Sequence, residues 1–197
     1  MSSSRSTEES SAPQELETLF RPRSIAVVGA SANQQSQGYE FVQALVEIEF
    51  PGPIHPVNPK LDELLGQKAY PHLESIPGPV DFVISAVPAS ATLELVKAAR
   101  AKGTKLIHFF TARFSETGRD DAVEMERELR RQIREAGIRA IGPNCMGNNY
   151  PKAKLSFDPG LPPEPGDVGF LTLSGSHAFR VIRRGKECGL RFSKAIS

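Results

Sequence analysis

The stretch from Ser24 to Gly38, Ser-Ile-Ala-Val-Val-Gly-Ala-Ser-Ala-Asn-Gln-Gln-Ser-Gln-Gly, constrains this chain more than any other. An apolar run, Ile25 to Val28, ends in Gly29-Ala30-Ser31. A polar loop follows, and from Tyr39 to Phe50 apolar residues recur at helical spacing. Strand, small-residue turn and helix N-terminus form the opening unit of a nucleotide-binding α/β fold. The helix N-terminus offers unpaired backbone N–H groups and the positive end of a dipole, which suits the loop to a phosphate. The dipole alone contributes about 0.3–1 kcal/mol, whereas micromolar binding needs about 8 kcal/mol. Further contacts must come from elsewhere in the chain. After Gly29 the next glycine is Gly38, so the pattern is not G-x-G-x-x-G. An ordinary βα turn that requires small residues is the alternative reading.

The same alternation continues downstream. Pro51-Gly52-Pro53 stops the first helix, and a second strand, Ile54 to Val57, runs into Asn58-Pro59-Lys60. A dehydrogenase of this fold carries Asp or Glu at that place to bind the ribose of NAD. Asn58, with the Lys60 cation just beyond, suits a phosphate better; a solvated surface lysine is the alternative. Residues 61–79 read as irregular, with a turn of helix at Leu61 to Leu65. Val80 to Val87 is a third strand, apolar almost throughout as a parallel strand covered on both faces should be, and Pro88 ends it. A helix over Ala89 to Lys102, a strand over Lys105 to Phe110 and a loop over Thr111 to Gly118 follow. In the long helix from Arg119 to Ala136, Met125, Leu129 and Ile133 form the buried stripe, and Glu126, Arg127, Arg130 and Arg131 are expected on a solvated face. A fifth strand, Ile138 to Ile141, leads into Gly142-Pro143-Asn144-Cys145-Met146-Gly147. Strands alternating with helices imply a parallel sheet with right-handed crossovers. Ligands bind such sheets outside the C-terminal strand ends, here Gly29–Ser31, Asn58–Lys60, Val87–Pro88, Thr111–Glu116 and Gly142–Asn144.

The expected organisation is a Ser-rich disordered tail over residues 1–13, a Rossmann-like domain over 14–148, a Pro-rich linker over 149–167 and the beginning of a second βαβ unit over 168–197. Gln14 to Phe20 is expected to form a short helix. In the second unit a strand, Val168 to Leu173, meets the loop Ser174-Gly175-Ser176. A helix from His177 to Cys188 and a strand from Leu190 to Ile196 follow. A net charge of +1 over 197 residues exerts no global pull on nucleic acid or an anionic membrane, and no apolar run approaches the roughly 20 residues of a spanning helix. Two cysteines, Cys145 and Cys188, without an apolar signal segment point to a cytoplasmic protein. No Cys/His cluster has metal-ligand spacing, so no metal site is expected.

Taken in order, Val28-Gly29-Ala30-Ser31, Pro56-Val57-Asn58-Pro59-Lys60, Ala86-Val87-Pro88, Phe114-Ser115-Glu116 and Gly142-Pro143-Asn144-Cys145-Met146-Gly147 resemble the CoA-binding domain of the NDP-forming acyl-CoA synthetases, relatives of the succinyl-CoA synthetase alpha subunit. Residues 168–196 resemble the start of that family's second, flavodoxin-like domain. The resemblance covers the chain from about Leu16 onward. It implies an acid–thiol ligase: a carboxylic acid, CoA and a nucleoside triphosphate give acyl-CoA, nucleoside diphosphate and phosphate, through an acyl phosphate and a phosphohistidine. It places coenzyme A against Gly29, Ala30, Ser31, Gly38, Asn58, Pro59, Lys60, Val87, Pro88, Phe110, Thr111, Ala112, Glu116 and Asn144, with Lys60 on a CoA phosphate. Ser174, Gly175 and Ser176 match the family's phosphate loop, which is also where backbone physics favours an anion.

The family's histidine falls beyond Ser197, so no catalytic residue is expected in this chain. ATP or another NTP would enter only through other domains or an ATP-grasp partner subunit, and the chain could also form a homo-oligomer. Arg113 stands where the family has glycine, Leu173 where it has Gln or Arg, and His177 and Phe179 are unusual in the helix that follows. A stand-alone CoA-binding regulatory module and, further off, an NADP-dependent oxidoreductase are the other readings.

Overall fold

The computed structural model describes residues 20–197. The expected tail over 1–13, and the expected helix over 14–20 apart from Phe20, lie outside them. The elements run β1 (Ile25–Val28), α1 (Gln37–Glu47), β2 (Ile54–Val57), β3 (Glu63–Leu64), β4 (Gln67–Lys68), β5 (Phe82–Ser85) and α2 (Thr92–Ala101). They continue with β6 (Leu106–Phe109), α3 (Asp120–Ala136), β7 (Arg139–Ile141), β8 (Asn148–Asn149), β9 (Val168–Leu171), α4 (Gly175–Glu187) and β10 (Phe192–Ile196).

Five strands form a parallel, Rossmann-like sheet in the order β2-β1-β5-β6-β7. Ile25 stands between Ile54 and Phe82, and Val28 between Val57 and Ser85. The order reverses at β1, so the crevice at a topological switch point opens between the C-terminal ends of β1 and β5. Alternate strand residues go to opposite faces. Ile25, Val27, Phe82, Ile84 and Leu106 join Phe41, Val42 and Leu45 of α1 in one core cluster. Ala26, Val83, Ile107 and Phe109 join Leu95, Val96 and Ala99 of α2 and Leu129 of α3 in the other. Both faces are therefore covered, which explains the unbroken apolar runs of β1 and β5.

Two stretches differ from expectation. Residues 61–68 form not a helical turn but the hairpin β3–β4. Leu65 and Gly66 both take positive φ, 51° and 75°, as a two-residue hairpin turn matched to strand twist requires, and Leu64 is buried beneath it. The Pro-rich stretch is not a loose connection. Leu155, Phe157 and Leu161 are buried in the same cluster as α1, and Lys154 pairs with Glu49 at 2.5 Å. β8 pairs antiparallel with β10, which pairs parallel with β9, so the chain leaving the first sheet becomes an edge of the second. Prolines remove donors from this stretch but do not prevent its apolar residues from packing.

The second, three-stranded sheet is covered by α4 through Ala178 and Ile182. The large hydrophobic residues exposed among those described, Val168, Leu171, Leu173, Val181 and Leu190, all belong to this unit. No helix among the described residues is long and apolar enough to cross a membrane. They contain no group of His, Cys, Asp and Glu able to hold a metal ion.

Candidate functional site

The first loop is built by close backbone approach. Gly29 has φ +91°, and a Cβ there would lie 2.7 Å from the Ala86 carbonyl oxygen, so only glycine lets the ends of β1 and β5 meet. Gly38, in the first turn of α1, is buried. A Cβ on it would fall far inside contact distance of the Gly29 carbonyl oxygen. From Gly29 to the start of α1 the loop satisfies some of its own amides. Asn33 N donates to Ser31 Oγ at 3.1 Å, Gln35 N to Asn33 Oδ1 at 3.0 Å, and Tyr39 N to Ser36 Oγ, the N-cap of α1, at 3.2 Å. The second loop is tied to the first: Asn58 Nδ2 donates to the Ala30 carbonyl at 2.6 Å, and Asn58 Oδ1 accepts from Lys60 N at 2.8 Å. Asn58 thereby shapes both strand ends. The exposed Lys60 ammonium has no partner among the described residues.

A cavity of about 370 Å³ opens at these ends. Of the residues expected at the ligand, Gly29, Asn58, Pro59 and Val87 line it. Its remaining wall comes from Val28 and Val57, from the turn Pro71–Glu74, and from Ala91, Glu94, Leu95 and Ala98 at the start of α2. The turn carries no motif, and sequence reasoning passed over it. The α2 residues had a usable signal, because the helix after the switch-point strand must begin beside the crevice. The wall is mostly apolar with a few polar groups, the composition of a small-molecule site. Glu94 is paired with Lys97 at 2.6 Å, which offsets its charge.

Ala30, Ser31, Lys60 and Pro88 neighbour the lining residues in sequence without lining the cavity themselves. Phe110, Thr111, Ala112, Glu116 and Asn144 form an adjoining cluster at the same sheet edge. Phe110 packs edge-on against Phe41, with ring centroids 5.5 Å apart. The Thr111 hydroxyl donates to the Val87 carbonyl at 2.7 Å, and the Thr111 carbonyl accepts from Asn144 N at 2.9 Å. Three successive N–H groups in this loop converge on carboxylates. Glu116 accepts from Arg113 N at 2.6 Å and Phe114 N at 2.9 Å, and Glu126 accepts from Ser115 N at 3.0 Å.

Glu126 corrects the solvated face expected of α3. It is buried, and Arg130 holds its other oxygen through Nε at 3.0 Å. Burial opposes its ionisation, but the bonds from Ser115 and Arg130 win and keep its carboxyl below the usual range. Arg113 takes φ +75°, a left-handed conformation that a glycine would adopt without strain.

The loop Ser174–Ser176 stands at the N-terminus of α4. Ser174 caps the helix, accepting from His177 N at 3.4 Å. Its own N–H donates to Thr172 Oγ1 at 3.1 Å, and its hydroxyl lies 3.3 Å from that of Ser176. This loop is apart from the cavity but meets the loop that follows β7, because the Gly175 Cα is packed against the Met146 side chain so closely that no Cβ would fit. His177 is exposed. Of the other histidines, His108 is fully buried and its Nε2 lies 2.7 Å from the Cys145 carbonyl. Burial lowers its pKa to about 4, so it is a neutral, satisfied group. Cys145 is buried, its thiol pushed up by burial, which leaves it a poor nucleophile.

Comparison with known proteins agrees with this fold. The chain is 36% identical over 182 residues to the alpha subunit of an ADP-forming acetate–CoA ligase II from Pyrococcus furiosus, covering 92% of this chain and 39% of that protein. It is 33% identical over 190 residues to a trans-feruloyl-CoA synthase from an unknown prokaryotic organism, covering 93% of this chain and 27% of that protein. Among solved structures it superposes on the dinucleotide-forming acetyl-coenzyme A synthetase 1 of Ca. Korarchaeum cryptofilum, determined with phosphate and ADP. The TM-score is 0.86 at 33% identity, covering 92% of this chain and 39% of that one. The chain thus spans about two fifths of these synthetases or less. Residues 23–151, the whole sheet bearing the cavity, match the CoA binding domain family, and the chain belongs to that family.

Proposed function

We propose that this chain is the CoA-binding part of an NDP-forming acyl-CoA synthetase, and that CoA occupies the cavity at the ends of β1, β2 and β5. The observation that carries this is the cavity itself, at the switch point, bounded by Gly29, Asn58 and Val87, with the unpaired Lys60 one residue beyond Pro59. In this reading the apolar wall takes the uncharged part of the ligand. Lys60 and the amides near Ser31 take phosphate, and Phe110, Ala112, Glu116 and Asn144 border the path of the pantetheine arm. Gly38 acts by letting α1 approach β1.

Ser174, Gly175 and Ser176 would receive a phosphate at the N-terminus of α4. That supports a ligase reaction completed with nucleoside triphosphate held by an ATP-grasp domain or partner subunit. Relatives named for acetate and for ferulate match nearly the same extent of this chain, so the part they share with it does not select the acid. Two free cysteines fit a reducing, cytoplasmic setting.

Calorimetric titration of the purified chain with CoA, NAD and NADP tests the reading. Saturable binding of CoA alone, about tenfold weaker in Lys60→Ala through loss of a charge-assisted contact, is expected. Binding of NADP in place of CoA would overturn it.

A further inference from the structure

We infer that Thr111 is a positioning residue: its side-chain hydroxyl holds the Val87 carbonyl and so sets the rim of the cavity, without touching the ligand. Thr111 is buried, 6% exposed, and does not line the cavity, whereas Val87 does. A threonine hydroxyl has one proton to give. The Val87 carbonyl, 2.7 Å away, is the best-placed acceptor. The Ser85 hydroxyl, 3.2 Å from Thr111 Oγ1, must then be the donor in that contact. Proton direction is thus determined along the run Ser85, Thr111, Val87, from inside β5 to the cavity wall.

The backbone at Thr111 is itself held from two sides. Phe110 N, one residue before it, donates to the Ser85 carbonyl at 3.2 Å, and Asn144 N donates to the Thr111 carbonyl at 2.9 Å. Thr111 therefore cannot follow the rim if the rim moves. Beyond Val87 comes Pro88, which has no N–H to anchor the chain, and the Pro88 carbonyl accepts from Ala91 N at 2.9 Å to begin the turn into α2. Between β5 and that turn Ala86 N is tied to the Val28 carbonyl at 2.8 Å, and the Thr111 hydroxyl supplies the tie at Val87 itself. Val87 meets the ligand with its backbone in the orientation that this bond dictates.

The consequence for binding rests on CoA being the occupant of the cavity; the positioning itself does not. Three variants separate the possibilities. Thr111→Val keeps the shape and removes the hydroxyl, Thr111→Ser keeps the hydroxyl, and Thr111→Cys keeps only a weak donor should the valine variant fail to fold. Two readouts are taken on the full chain: backbone hydrogen exchange over residues 87–94 without ligand, and the dissociation constant for CoA. We expect exchange at the rim to rise, and CoA binding to weaken about fivefold to tenfold, in Thr111→Val. Thr111→Ser is expected to restore both, and Thr111→Cys to fall between. Wild-type exchange at the rim in Thr111→Val or Thr111→Cys, or a serine variant as impaired as the valine one, would overturn the inference. Absence of CoA binding in the wild type would count against the proposed ligand, while the exchange comparison would still decide the role of Thr111.

Discussion

Asp81 and His108 are both buried, and they titrate in separate windows. Asp81 accepts from Arg23 N at 3.0 Å and Arg23 Nε at 2.9 Å, with Lys105 at 3.4 Å, and these partners hold its pKa at about 2. Its stabilising charge is fully present above the unfolded value of about 3.9 and is lost as pH falls through about 2. His108 behaves in the opposite sense to a paired histidine. Its folded pKa is about 4, so between about pH 6.5 and 4 the unfolded chain binds more protons and acid favours unfolding, by about 3 kcal/mol over the window. Urea midpoints measured from pH 7 to about pH 2 should fall steadily below pH 6.5, and a flat profile to pH 4.5 would contradict a buried neutral His108. In Asp81→Asn only the further loss below about pH 4 should disappear. The sequence placed His108 within the strand expected over Lys105 to Phe110, and the structure agrees. It placed Glu126 on a solvated face, because an i,i+4 pair with Arg130 reads the same on paper whether or not a loop folds over it. The burial comes from the 114–117 turn, whose position depends on β6.

At the scale of elements, β1 with α1 was legible to within three residues, because apolar run, small turn and helical spacing are all local signals. The reason for Gly38 was not. It appeared as a ligand residue, yet the structure uses it to bring the first turn of α1 onto the Gly29 carbonyl. Alanine normally stabilises a helix by about 1 kcal/mol over glycine, but here the clash wins. Gly38→Ala should lower stability by about 1–3 kcal/mol and weaken CoA binding, read by denaturant titration and calorimetry; a more stable variant would show that the approach is not tight. The hairpin β3–β4 escaped sequence reading for a related reason. Two-residue strands carry almost no periodicity, and Leu65 at positive φ has no compositional marker. Its companion Gly66 was the available hint.

For the molecule as a whole, the decisive feature is that the second sheet borrows β8 from the end of the first unit, while Leu155, Phe157 and Leu161 enter the α1 core. Phe157 is 3% exposed. Phe157→Ala should therefore cost about 3–5 kcal/mol and leave a single unfolding transition by calorimetry. A near-neutral effect would favour the expected Pro-rich linker over residues 149–167. By itself the sequence determined the order of strands and helices, the parallel sheet, and the edge at which the cavity opens. These follow from residue-by-residue propensities, from glycine and proline sterics, and from the rule that crossover connections place all strand ends on one side. Only the tertiary structure decided which of those ends share a cavity, that the 71–74 turn and the start of α2 complete it, and that the Thr111 and Glu126 side chains bond backbone groups of neighbouring segments while Gly38 lets α1 approach β1. The physical reason is that cavity walls and buried hydrogen bonds are contacts between residues far apart in the chain. Their energy depends on a desolvation that no local spacing records.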